Sequence, residues 1–356
     1  MTSSRSRLLS TRNLKILLDV ARFKLMTTDQ VRQLHFEHLA ENSDAPRMLM
    51  YRFLKAGVVE KYQTHARSMH STDGLTVTKP KPVWHVSPKC HGTLKRELAR
   101  HGRVEDYAPF ADHCTRFGNR QSVSDQSLPH ELGITSILIA LECGASADAN
   151  IEDLTCIRTS PRHPMTATNV IFHNGAGWTV SRTINPDALV FFRATHAEKR
   201  YPFIFFIEYE TGTADPQKYL TSKLEPYTAY FEQSRLGGNA RPFSTIADQF
   251  NREYGLGLNH PERIPFRVLT IARDPVHAHR LLVASRGLSN SKLCLFTSLR
   301  KFVANPFDNI WTRTLEFETE LEGEYEQLAR NRSRPSLIRR WIEEELDGRL
   351  TRVSIP

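Results

Sequence analysis

Cysteine is scarce in this chain: five residues, Cys90, Cys114, Cys143, Cys156 and Cys294, stand far apart among 356, with no CxxC pair. That excludes a zinc knuckle, a dithiol redox motif and a disulfide-built scaffold, and predicts reduced thiols. Long apolar runs are missing too. No window approaches the roughly 18 consecutive apolar residues needed to span a bilayer, and the N-terminus has Arg5 and Arg7 but no apolar signal stretch. The expectation is a cytoplasmic protein without membrane contact. The glycine spots Gly175-Ala176-Gly177 and Gly255-Leu256-Gly257 lack a P-loop lysine and a strand-to-helix setting, so no nucleotide cofactor is expected. The pairs His35/His38 and His277/His279 have no further ligand at a recognisable spacing and read as ordinary histidines. Repeats and low-complexity tracts are absent.

What is present is a globular composition, 40% hydrophobic and 24% charged, long enough for two domains. The net charge of +9 is unevenly placed: residues 1–110 hold 19 Lys+Arg against 10 Asp+Glu, and the remainder balances at 29 of each. A basic segment joined to a neutral body suggests that one part meets a polyanion while the other does something else.

The first module, residues 1–102, reads as three helices and a hairpin. Leu14, Leu17, Leu18 and Ala21 form one apolar stripe after a cap at Ser10 or Thr11, and Thr27 with Gln30 makes a capping box for a second helix. Pro46 opens a third helix that ends at Gly57, after which Val58–Tyr62 and Val83–Val86 read as two strands around a basic tip. This is the layout of a winged helix, whose third helix enters the major groove of double-stranded DNA. Arg47, Met50, Tyr51, Arg52 and Lys55 are then the groove-side candidates, and Arg67, Lys79 and Lys81 the wing contacts. The plainer alternative is that Met50 and Tyr51 pack in the core while the arginines form a solvated face. A basic helix at 88–101 and a polar linker at 103–128 follow.

The second module, 129–311, predicts helix 130–142, strand 153–159, a hairpin turn near Asn174–Gly177, strands 187–193 and 203–210, helix 216–233, strand 266–273, helix 275–286 and strand 292–298. Ile204–Ile207, Val268–Ala272 and Leu293–Phe296 are continuous apolar runs, as in strands covered on both faces. A mixed α/β sheet flanked by helices follows. Polar residues interrupt it at Asp187, after Pro186, and at Glu208 and Glu210, spaced by two and so on one face. Three carboxylates converging in a cleft repel one another unless a cation neutralises them, and hard oxygen donors suit Mg²⁺ or Mn²⁺. Lys223 lies in the next helix with Tyr219, Tyr227 and Tyr230 at helical spacings, a face that can lean over the acids, and Glu131 can approach from the first helix. The chemistry suggested is phosphodiester cleavage, with Asp187, Glu208 and Glu210 as metal ligands, Glu210 or Lys223 activating water, and Glu131 an extra acid. The alternative is a solvent-exposed strand end where Lys223 simply pairs with one glutamate.

This order of elements, with Pro-Asp on one strand and E-x-E on the next, resembles the PD-(D/E)xK nuclease core over about residues 129–299. The resemblance implies Asp187 and Glu208 as the two motif acids and Glu210 at the place usually held by lysine, with Lys223 where some branches carry the lysine instead. Glu131 would match the acid that some members bring from the first helix. The stretches STRNLKILLDVARFKLMTTDQVRQLHF, VWHVSPKCHG, PHELGITSILIALE, INPDALVFF and FIFFIEYETGTADPQKYLTSKLEPYTAYF resemble the replication-relaxation family of plasmids and integrative elements. That implies a DNA-binding protein linked to plasmid replication or mobilisation, either a metal-dependent endonuclease or nickase or a regulator using an inactive nuclease fold.

The tail, 312–356, alternates glutamates from Glu316 to Glu326 and ends in an amphipathic helix from Ser336 to Leu350. It reads as a dimer or partner-docking element, or as a cover for a sheet edge.

Overall fold

A computed structural model describes residues 8–40, 42–62, 69–70, 77–78, 82–103, 127–158, 167–173, 179–196, 198–235, 242–258, 266–288, 293–308 and 310–312. The wing residues Arg67, Lys79 and Lys81, most of the 103–128 linker, the turn at 174–177, the tail beyond Thr312 and its expected docking helix lie outside the described residues. The chain is mixed α/β, as its patterning predicts, and divides into two compact units, residues 1–139 and 140–356.

The N-terminal unit starts with α1 (Thr11–Arg22), β1 (Met26–Thr27), α2 (Thr28–His35) and α3 (Ala45–Lys55). Ser10 caps α1 by accepting from the Asn13 N–H at 3.4 Å, and Leu14, Leu17, Leu18 and Ala21 are buried. The capping box forms as expected: Thr27 Oγ1 accepts from the Gln30 N–H at 3.2 Å, and Gln30 Oε1 accepts from the Thr27 N–H at 2.8 Å. These bonds satisfy donors that a helix start leaves open. β2 (Val59–Lys61), β3 (Met69–His70), β4 (Val77–Thr78) and β5 (Val83–Val86) follow, with β3 and β4 paired antiparallel and β1, β5 and β2 forming a three-stranded sheet in that order. β1 was not expected; two residues carry no periodicity, and only the pairing Met26↔Trp84 defines the strand. A 3₁₀ turn and α4 (His91–Arg100) complete the run.

The division between the two compact units falls inside α5 (Leu128–Ala147). Its first turns belong to the N-terminal unit for a physical reason. Gln30 Nε2 donates to Leu132 O at 3.0 Å and Ser136 Oγ at 2.8 Å, and Thr135 Oγ1 donates to Leu25 O at 3.3 Å. Leu25, Val83, Leu128 and Leu132 close a small apolar cluster beside these bonds.

The second unit is built on a five-stranded sheet of order β12-β11-β10-β9-β6, where β6 is Ile151–Arg158, β9 Ala188–His196, β10 Lys199–Glu210, β11 Phe266–Ala272 and β12 Cys294–Ser298. β10, β11 and β12 run parallel, while β9 and β6 are antiparallel. β7 (Ala167–His173) and β8 (Thr179–Ile184) pair with each other as a separate ribbon. The parallel crossovers carry α6 (Pro216–Tyr219), a π-helical turn (Leu220–Leu224), α7 (Glu225–Arg235), α8 (Pro242–Tyr254) and α9 (Pro275–Ala284); α10 (Leu299–Ala304) follows β12. One face of the sheet buries Leu189, Phe191, Ile204, Phe206, Val268 and Phe296 with Leu220, Leu224, Tyr230 and Leu281 from the helices. On the other face, Phe192 stacks on Phe203 and meets Phe307 edge-on. A Cβ on Gly144 would lie 2.8 Å from Pro306, so α5 approaches this layer more closely than any side chain there would allow. Among the described residues no helix is long and apolar enough to cross a membrane.

Candidate functional site

The acids gather where β10 leaves its apolar stretch. Along β10 the even positions Ile204 and Phe206 face the helices, so period-two alternation carries Glu208 and Glu210 onto that same covered face. Glu208 is 1% exposed and Glu210 is 8% exposed, so this is no solvent-exposed strand end. Asp187 stands across from Glu208: its N–H donates to Ile207 O at 3.0 Å, one step beyond the pairing Ile207↔Ala188. Asp187 Oδ2 accepts from the Tyr209 N–H at 2.9 Å, which fixes the carboxylate beside β10.

Both oxygens of Glu208 are engaged. Tyr227 Oη donates to Oε1 at 2.5 Å and Lys223 Nζ to Oε2 at 3.2 Å. Burial pushes the Glu208 carboxyl up to about 7, and the neighbouring Asp187 adds to the rise, against the pull of Lys223 and Tyr227. Glu208 in turn holds the Lys223 ammonium above its ordinary range. Burial raises the Tyr219 and Tyr227 phenols, and the acids reinforce the effect. Burial and neighbouring charges thus perturb Glu208, Lys223 and Tyr227 together, a pattern concentrated at functional sites.

The π-helical turn explains how the covering segment meets the acids. It carries Lys223, and Lys223 and Tyr227, four apart, both reach Glu208. Of the expected tyrosine face, Tyr227 reaches Glu208 directly. Tyr230 instead packs on Phe206 and Phe266, with ring centroids 6.5 and 5.6 Å away.

Glu210 does different work from Glu208. Its Oε1 accepts from the backbone N–H groups of Gly212, Thr213 and Ala214 at 2.9, 3.3 and 3.5 Å, folding the chain tightly after β10. Gly212 has φ +83°, open to glycine, and an added Cβ would lie 3.7 Å from the His277 ring. His277 Nε2 stands 3.9 Å from Glu210 Oε1. Burial holds this imidazole below its ordinary value, so it is neutral at pH 7. Glu131 belongs to the N-terminal unit, where its Oε2 lies 3.4 Å from Lys24 Nζ. The structure therefore brings together Asp187, Glu208 and Lys223, and gives Glu210 a loop-holding role beside them.

Sequence reasoning weighed His277 only as a metal pair with His279 and read it as an ordinary histidine, and gave Tyr227 no role of its own. The spacing Y-x₃-K-x₃-Y was the signal for Tyr227, and a helix starting after Asp274-Pro275 at the end of a parallel strand was the signal for His277. Thr270, fully buried, pairs in register with Glu208, and its Oγ1 has no hydrogen-bond partner.

A divalent cation can be tested against these donors. Among the described residues no group of three or more His, Cys, Asp or Glu is disposed around one point. A protein-only cage of Asp187, Glu208 and Glu210 is therefore absent, because Glu210 is drawn to its loop. Mg²⁺ needs less: it is commonly held by one or two carboxylates and completes its shell with water. The adjacent Asp187 and Glu208, oxygen donors whose repulsion raises the Glu208 pKa, fit that requirement.

On the DNA-facing candidates, Arg47, Tyr51, Arg52 and Lys55 are exposed on α3, and Met48 is 51% exposed beside them. Met50 is fully buried and belongs to the core rather than the groove side. Tyr51 rests edge-on against Trp84, ring centroids 5.4 Å apart, and Arg47 pairs with Asp44 at 3.0 Å.

Comparison with known proteins adds one finding. Neither the curated proteins nor the solved structures gave a match. A family model described as replication-relaxation matches residues 17–243. That span runs from the second half of α1 to the start of α8, including both the α3 face and the Asp187–Glu208–Lys223 group. With more than half of its length inside the match, the chain belongs to the replication-relaxation family.

Proposed function

We propose that this protein binds double-stranded DNA of a mobile element through a winged-helix N-terminal unit and hydrolyses phosphodiesters with a PD-(D/E)xK-like second unit, in plasmid replication or mobilisation. The observation that carries the catalytic part is the buried Asp187–Glu208 pair with Lys223 3.2 Å from the Glu208 carboxylate. Asp187 and Glu208 would hold Mg²⁺ or Mn²⁺, which supplies a polarised phosphate and a water of lowered pKa when bound. Lys223, 41% exposed at its side chain, can release Glu208 towards the cation and turn its ammonium to the phosphate charge. Tyr227 keeps Glu208 aimed while that exchange happens. The basic N-terminal third and the exposed cations of α3 support the DNA-binding part.

Supercoiled plasmid incubated with Mg²⁺, Mn²⁺ or chelator tests this reading beside Asp187→Ala and Glu208→Ala. The expected outcome is nicked or linear product only with metal, reduced at least about 100-fold in both variants while DNA binding persists. No product with any metal, with binding intact, rejects the catalytic part.

A second reading has its own observation. Both Glu208 oxygens and Glu210 Oε1 already have protein donors. A network satisfied in this way suits a nuclease fold kept as a non-catalytic DNA-binding regulator. Protection of a defined site without metal, and no cleavage with it, is the result that selects this reading.

A further inference from the structure

Glu210 and His277 form a second polar niche beside the Asp187–Glu208 pair. His277 is 6% exposed, and its Nε2 is buried without a hydrogen-bond partner. A buried, unpartnered ring nitrogen costs roughly 1–3 kcal/mol and calls for an explanation. The Glu210 carboxylate stands 3.9 Å from it, too far for a hydrogen bond. Two donors bound at about 2.1 Å to one ion stand about 3.0 Å apart at a right angle and about 3.4 Å apart at the tetrahedral angle, so the pair would draw in by roughly half an ångström around a shared cation.

The backbone anchors the Glu210 side chain and the main chain of His277. Glu210 is anchored through Oε1 to the Gly212, Thr213 and Ala214 N–H groups. His277 is held from the opposite side, where its N–H donates to Asp274 Oδ1 at 2.8 Å in the first turn of α9. The His277 imidazole can turn towards Glu210 about its own side-chain bonds without breaking that contact. Ser298, in register with Ala272 and thus in the same row of the sheet as Glu210, also has a buried Oγ without a partner.

We propose that Glu210 and His277 bind a second divalent cation, of the borderline class that takes mixed nitrogen and oxygen ligands, such as Mn²⁺ or Zn²⁺, with water completing its shell. The site is separate from the Asp187–Glu208 pair and does not depend on that pair's being catalytic.

The test titrates Mn²⁺ into the full-length protein and reads the nitrogen coupling of bound Mn²⁺ by pulsed electron paramagnetic resonance. The wild type should show imidazole nitrogen coupling, and Asp187→Ala should keep it. His277→Gln should abolish the coupling and weaken Mn²⁺ binding roughly tenfold or more. Glu210→Gln, whose amide oxygen still accepts the loop N–H groups, should weaken binding to a similar extent and serves as the second variant if His277→Gln folds poorly. Absence of nitrogen coupling in the wild type, or its persistence in His277→Gln, overturns the proposal, as does unchanged affinity in Glu210→Gln. Loss of the coupling in Asp187→Ala overturns the separateness of the two sites. Plasmid cleavage does not enter the readout, so failure of the nuclease reading and failure of the second site are told apart.

Discussion

Glu208 concentrates the tension of this molecule in one side chain. Its folded-state pKa of about 7 lies above the ordinary 4.5, and burial is the main cause. As pH rises from 4.5 the unfolded chain gives up this proton while the folded one retains it, so the stability linked to Glu208 is present at low pH and lost by the time pH passes 7. The window is worth on the order of 3 kcal/mol. Glu208→Gln removes the titration. Melts at pH 5 and pH 8 should therefore differ by less in the variant than in the wild type, and an equal difference would mean that Glu208 does not titrate in this range. The same residue shows what sequence alone can tell. E-x-E after an apolar run announced that both acids share a face, and that proved true. It could not announce that Glu208 meets a tyrosine and a lysine while Glu210 turns to its own loop, because those contacts depend on where the next helix lands.

At the scale of elements, patterning was most legible where periodicity ran longest. α1, the capping box of α2, and the parallel strands β10, β11 and β12 all follow from spacing that repeats over several residues. β1 is too short to have a period, and α5 is apolar on so many sides that its pattern could not show which of its turns serve which unit. The π-helical turn was invisible as well, because inserting one residue leaves a helical sequence still looking helical. That turn makes a sharp prediction. Deleting Ser222, an exposed residue within it, should restore α-helical winding and rotate Lys223 away from Glu208. The expected result is a lowered melting temperature and cleavage reduced to the level of Lys223→Met, with DNA binding unchanged. A deletion variant as stable and active as wild type would show that the wide turn has no part in placing Lys223.

For the whole molecule the decisive quantity is the distribution of charge. The excess of cations lies within residues 1–110, and the rest of the chain is neutral. Affinity for DNA should consequently fall steeply with salt. Arg47→Ala and Arg52→Ala should each reduce the slope of log affinity against log salt by about 1 if the residue contacts phosphate. Titrations of the full-length protein between low and moderate salt decide this, and slopes unchanged in both variants would move the DNA contact away from α3.

The long strand β10 has a further consequence, one that concerns time rather than geometry. It pairs with β9 through a tight connection, but its other neighbour, β11, begins only at Phe266, after α6, α7 and α8 have been laid down. Chain closure over such separations slows folding. During synthesis the β9–β10 hairpin, with Asp187 and Glu208 already opposite each other, must wait beside an open edge until β11 emerges. The acids of the site are thus paired early and enclosed late, and the nascent chain carries an uncovered strand edge for the interval between.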